Sequence, residues 1–198
     1  MSKLYVNEIH PKTAGGTITT TGFSVGGNVK EVLTMLCDGG TYTVPSGDYT
    51  TTNVTAKQNL TTSFSDVNGS VVDYTPPAGT TVVVYEFNFG FTRGNDVHPI
   101  GSYIFFIDGV EVVSARHTLG VSSTPELVTT LKYVIPIGGT ADTNTGRQAS
   151  WSGAKTLKIQ AREYSSSYEV NLFSTYHWAG GVSDEVSKPT LTITALGG

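Results

Sequence analysis

At 198 residues, with 38% hydrophobic and 10% aromatic residues, the chain has the size and composition of one all-β domain plus an appendage. Charged residues make up only 14%, so Thr, Ser, Asn and Gly must supply the polar surface, a composition that suits a rigid pleated sheet better than a helical enzyme. A net charge of -4 with no local Lys/Arg cluster argues against nucleic acid and anionic lipid as partners, and the single cysteine, Cys37, excludes an intrachain disulfide and a Cys-based metal knuckle.

The chain opens on Met1-Ser2-Lys3-Leu4-Tyr5-Val6-Asn7-Glu8-Ile9-His10, which lacks the apolar core of a signal peptide. No later stretch approaches the ~18 apolar residues of a membrane span. Both readings predict synthesis and assembly in a cytoplasm without membrane insertion. Leu4, Val6 and Ile9, then Pro11, Gly15-Gly16 and the strand-like Thr17-Ile18-Thr19-Thr20-Thr21, read as an extended arm. An arm this short cannot bury a core of its own, so it is expected to wrap on another subunit or dock into a larger particle.

Residues 28–37 are the one helical candidate. Val29, Val32, Leu33 and Leu36 recur at helical spacing, and Asn28 with Glu31 resembles a capping pair. A buried strand fits this short apolar run equally well. Residues 1–40 are therefore assigned as an anchoring and oligomerisation arm, with Leu4, Val6, Val29, Val32, Leu33 and Leu36 as its candidate contacts, and residues 41–198 as the knob.

From residue 41 onward, strands alternate with turn signals. Lys57 to Val67 and Ser70 to Tyr74 flank Asn68-Gly69, and Ser102 to Ile107 and Val110 to Arg116 flank Asp108-Gly109, both two-residue hairpin signals. Thr81 to Phe91 reads as a central strand. Leu157/Ile159/Ala161, Val170/Leu172 and Leu191/Ile193/Ala195 alternate apolar with polar, placing one face in a core. This pattern predicts a β-sandwich, with a jelly roll ahead of an immunoglobulin-like topology.

Little in the sequence carries chemistry. His10, His98, His117 and His177 stand too far apart for a ligand pair, so no metal and no cofactor is expected. No nucleophile elbow is present, and although Glu86, Glu111, Glu163, Glu169, Asp184 or Glu185 could supply a carboxylate pair, any β-protein offers such pairs; the reading is not an enzyme. The candidate ligand site comprises Trp151, Tyr164 and Tyr168, placed at one sandwich end by the Gly138 to Ser150 loop and the Ser165 to Ser167 turn. Exposed aromatics stack on sugars, although strand aromatics more often fill a core or interface.

The opening Met1 to Ile9 and the stretch from Lys155 through Trp178 to Ala195, with Asp73-Tyr74-Thr75-Pro76-Pro77 and Ile107-Asp108-Gly109-Val110-Glu111-Val112, resemble surface proteins of tailed bacteriophages, particularly cyanophages and marine phages. The resemblance covers most of residues 57–198. It implies a virion component, commonly a homotrimer, with a jelly-roll knob on an N-terminal arm, contacts to other capsid or tail proteins, and no catalytic residues. Only about 40 residues precede the knob, which favours a short fibre or capsid decoration over a long fibre. Adhesion to host surface glycan is the added activity considered; a tail-fibre receptor-binding protein is the alternative and a glycan-degrading enzyme the remoter one.

Overall fold

The computed structural model describes residues 28–94, 98–120, 126–175 and 185–198. Among these residues there is no helix; the chain runs as β1 (Asn28–Leu36), β2 (Thr41–Val44), β3 (Gly47–Thr50), β4 (Gln58–Asn59), β5 (Ser65–Asp66), β6 (Val72–Tyr74), β7 (Thr80–Arg93), β8 (Ile100–Ile107), β9 (Val110–Gly120), β10 (Glu126–Pro136), β11 (Lys155–Glu163), β12 (Val170–Leu172), β13 (Ser174–Thr175), β14 (Glu185–Val186) and β15 (Thr190–Gly197). The expected arm of residues 1–27, with Leu4 and Val6, lies outside the described residues.

Two antiparallel sheets carry the architecture. In the first, β1, β15, β7 and β10 lie side by side; in the second, β6, β11, β8 and β9 do. Renumbered along the chain, these eight strands form sheets ordered 1-8-3-6 and 2-7-4-5. That order is the double Greek key of a jelly roll. β5 extends the β6 edge, β12 and β4 continue the first sheet at the far end of β7, and the hairpin β2–β3 folds beside β1.

The core follows from alternation. Along β7, Val83, Tyr85, Phe87, Phe89 and Phe91 point inward and are buried, facing Tyr103, Phe105 and Ile107 of β8 and Leu157, Ile159 and Ala161 of β11. Phe105 stacks on Tyr133 of β10 with ring centres 4.2 Å apart, and Tyr85 tilts against Phe105 at 5.1 Å. Each fully buried aromatic of this size contributes roughly 1.5–3 kcal/mol of transfer free energy.

One alternative left open by the sequence is decided here, and one expectation is corrected. Residues 28–36 form a strand, not a helix, pairing along their length with β15 from Asn28↔Gly197 to Leu36↔Thr190. Glu31, Leu33 and Met35 face inward while Val32, Thr34 and Leu36 face outward, a period of two that the helical spacing of Val29, Val32, Leu33 and Leu36 had masked. This segment is thus an edge strand of the sandwich itself. Asn68-Gly69, in turn, closes no hairpin: β5 and β6 both run antiparallel to β11, so residues 67–71 are an excursion within one strand direction. Gly69 takes a φ of 81° there, packed so closely on Cys37 that an added Cβ would lie 2.8 Å from Sγ. Asp108-Gly109 does close the β8–β9 hairpin, with φ of 49° and 76°.

Candidate functional site

The three aromatics singled out in the sequence do not form one site. Trp151 precedes β11 and Tyr164 follows it, so the strand separates them by about 30 Å at ~3.3 Å per residue. Trp151 is 8% exposed; its indole N–H donates to the Tyr74 carbonyl at 3.1 Å and its ring meets Tyr74 edge-on at 6.3 Å. It is a wedge between the loop before β11 and the sheet. Tyr164 is 62% exposed and meets Tyr168 edge-on at 5.7 Å, held by the turn in which Tyr168 N–H donates to the Ser165 carbonyl. The Gly138 to Ser150 loop lies at the other end, where Ser114 N–H donates to the Asn144 carbonyl and Gly146 packs on Val112 and Ile107.

Beside Trp151 sits a buried polar cluster. Glu31 of β1 accepts from Ser46 N–H at 2.9 Å, Ser46 Oγ at 2.7 Å and Tyr74 Oη at 2.8 Å; Ser46 Oγ also lies 2.8 Å from Tyr49 Oη, which donates to the Thr75 carbonyl at 3.2 Å. Burial and the neighbouring Glu31 carboxylate push the Tyr74 phenol well above its ordinary value. With three donors of the protein on its carboxylate, Glu31 is a buried strut between elements.

The outward face of the first sheet is different. Across its strands, Val29, Leu196, Val82 and Pro136 form one row in register, and Val32, Thr194, Val84 and Val134 the next. Val29, Val32 and Val134 are 55%, 52% and 53% exposed. Beyond them come Thr34, Thr192, Glu86 and Lys132, with Lys132 paired to Glu86 at 3.2 Å, and then Leu36, Thr190, Asn88 and Thr130. Of the proposed oligomerisation residues, Val29, Val32 and Leu36 lie on this face, whereas Leu33 is in the core. The outward face of the second sheet instead carries Asp66, Asp73, Lys158, Arg162, Glu111 and Arg116, with Lys158 paired to Asp66 at 2.9 Å.

Other chemical groups are engaged or dispersed. Among the described residues no three His, Cys, Asp or Glu side chains converge as a metal site. Glu111 pairs with Arg116 at 2.5 Å, which holds its carboxyl below the usual range. Glu163 is buried, and burial followed by the charge of Glu169 raises its pKa, against the lowering effect of the Val170 N–H. Asp184 and His177 lie outside the described residues. Burial and the neighbouring Asp38 raise the Cys37 thiol to about 11, so it stays protonated and packed. A cavity of about 160 Å³ opens between the edge strands β9 and β10, lined by Phe105, His117 and Tyr133, and one of about 170 Å³ lies beneath the 141–148 loop.

No family model matches the sequence, and no curated protein matches it. Solved structures do. Two of them are the structure of infectious bursal disease virus Gx strain, 12% identical with a TM-score of 0.37 over 83% of this chain and 35% of that one, and the structure of the Gt strain, 12% identical with a TM-score of 0.26 over 79% and 42%. Both come from an animal virus, not a tailed phage. The chain spans less than half the length of either, and with TM-scores below 0.5 neither likeness bears on what the chain does.

Sequence reasoning passed over Val134, Val82, Val84 and Leu196, which complete the apolar rows. Each sits in an alternating strand where it reads as an ordinary sheet residue. Only the strand order β1-β15-β7-β10 puts them beside Val29 and Val32.

Proposed function

We propose that this chain is a bacteriophage virion surface subunit, a short-fibre or capsid-decoration knob, that assembles as a homotrimer through the outward face of β1, β15, β7 and β10. The observation that carries the reading is the segregation of the two faces. The second sheet turns mainly charged side chains to solvent; the first turns two largely apolar rows outward, with Val29, Val32 and Val134 exposed, and such a patch marks an interaction surface. Glu86 and Lys132 pair on this face, so copies of it meet without net repulsion despite the chain's charge of -4.

The role assigned is structural, without catalysis: Glu86 and Glu111 are ion-paired, and Glu31 holds three donors of the protein itself. Native mass spectrometry of the full chain tests the assembly. A trimer is expected, and Val32→Asp with Val134→Asp should yield monomers of unchanged circular dichroism. A wild-type monomer, or a trimer indifferent to both substitutions, overturns this use of the face. Gold-labelled antibody against the chain should decorate phage particles; unlabelled particles overturn the virion role.

A further inference from the structure

The second sheet's outward face holds a trough that plays no part in the assembly through the first. It forms where β9 leaves its partner: Tyr103 pairs with His117 and Phe105 with Val112, so residues 113–116 stand opposite Ile104 alone. A bulge of this kind re-aims side chains. Here it carries Arg116 out over the sheet, tied back across the bulge to Glu111 at 2.5 Å. On the opposite side Arg162 stands outward on β11, its guanidinium carbon 5.2 Å from the centre of the Phe64 ring. Ser102, Ile104 and Thr118 lie between the two arginines, and the trough encloses about 280 Å³, more than the cavity between β9 and β10 or the one beneath the 141–148 loop.

Its chemistry is one-sided. Two guanidinium groups face a single carboxylate on a chain whose overall charge is -4. Arg116 is matched by Glu111, but Arg162 has no ion-pair partner among the described residues, and its buried Nε lacks an acceptor there. The Phe64 ring lies beside the Arg162 guanidinium, whose planar fork matches the two oxygens of a carboxylate. Ser102 pairs with Arg162 on one side and with Thr118 on the other, which sets the Arg162 and Thr118 backbones about 10 Å apart across the floor. A ligand filling that span meets Arg162 and Phe64 at one end, the Ser102 hydroxyl midway and Thr118 at the other end, with Ile104 in the floor.

We propose that this trough binds a carboxylate-bearing sugar, a uronic-acid residue of an acidic polysaccharide. The carboxylate docks on Arg162, the ring lies over Ile104, and the ring hydroxyls exchange hydrogen bonds with Ser102 and Thr118. The site is on the sheet opposite the valine rows, so it is available in the assembled protein and its test is independent of oligomeric state.

Calorimetric titration of the full chain with tetragalacturonate, galacturonate, maltotetraose and tetraglutamate tests the proposal. Tetragalacturonate should bind with a Kd near or below about 1 mM. The monomer should bind more weakly at the same site, and maltotetraose should give no heat. Arg162→Gln should weaken tetragalacturonate at least about tenfold, the scale of one charged hydrogen-bonding group, and Ser102→Ala about threefold. Arg162→Lys, which keeps the charge but loses the fork, gives a second reading should the Gln variant misfold; it should weaken binding too. No binding of tetragalacturonate, binding undiminished in the Arg162 variants, or equal affinity for maltotetraose overturns the site. Equal affinity for tetraglutamate assigns the trough to acidic peptide and overturns the sugar.

Discussion

The hydroxyl of Tyr74 donates to Oε1 of Glu31 at 2.8 Å, and this bond joins β1 of the first sheet to β6 of the second. The same carboxylate holds Ser46 in the turn between β2 and β3, so one buried side chain fixes three elements. Removing it leaves the Tyr74 hydroxyl buried without its acceptor and takes one from the half-buried Ser46 N–H. Glu31→Ala should lower the free energy of unfolding by about 3 kcal/mol, and Tyr74→Phe by about 1–2 kcal/mol, in urea titrations followed by tryptophan fluorescence. Equal stability of Glu31→Ala and wild type would show that the carboxylate is not a strut.

Gly69 and Gly109 have nearly the same φ, 81° and 76°, but different surroundings. A Cβ at Gly69 meets Cys37 Sγ at 2.8 Å, whereas at Gly109 nothing lies within 4 Å. Gly109→Ala should therefore cost only the backbone strain, about 1 kcal/mol, and Gly69→Ala strain plus overpacking, about 2–4 kcal/mol. Thermal unfolding of the two variants side by side reads the difference; equal losses would mean that Cys37 yields freely.

Trp151 and Tyr164 should also part company. Truncating the buried indole, which is hydrogen-bonded to the Tyr74 carbonyl, is expected to cost about 3–5 kcal/mol. Tyr164→Ala, at an exposed turn, should stay within about 0.5 kcal/mol. Chemical denaturation of both variants checks this, and a stable Trp151→Ala would show that the loop before β11 does not depend on its wedge.

Acid should act through two opposed sets of carboxylates. At Asp66 and Asp108 burial works against ionisation, but hydrogen bonds from Lys158 and Gln160, and from Lys155 and Thr156, outweigh it and hold both pKa values low. Their contribution is present above the unfolded value of about 3.9 and is lost as pH falls through the lower folded values. Glu163 runs the other way. Its folded pKa is raised by burial, so its ionisation costs stability that appears as pH climbs above the unfolded value of about 4.3 and through the folded one. Glu163→Gln, which keeps an oxygen for the Val170 N–H, should therefore melt higher than wild type at pH 7 and equally at about pH 4 or below. A variant that melts lower at pH 7 would show that the ionised carboxylate is favoured in the folded protein.

Composition and alternation alone settled the all-β class, the buried faces of β11, β12 and β15 and the Asp108-Gly109 hairpin, because each depends on interactions between residues near in sequence. Residues 28–36 needed the tertiary structure. A short apolar run satisfies both periods, and what decides is a partner more than 150 residues away, β15, whose open edge supplies the hydrogen bonds. Asn68-Gly69 carries a hairpin signal, yet β11 pairs with the chain on both sides of it, so the glycine serves close approach to Cys37 instead of a reversal. Trp151 looks like a surface aromatic in a polar stretch until Tyr74, distant in sequence, provides both its acceptor and its edge contact. The apolar rows of the first sheet and the Arg162 trough of the second exist only where strands from separate parts of the chain lie in register. A jelly roll interleaves its two sheets along the sequence, so neighbours on either face are rarely neighbours in the chain.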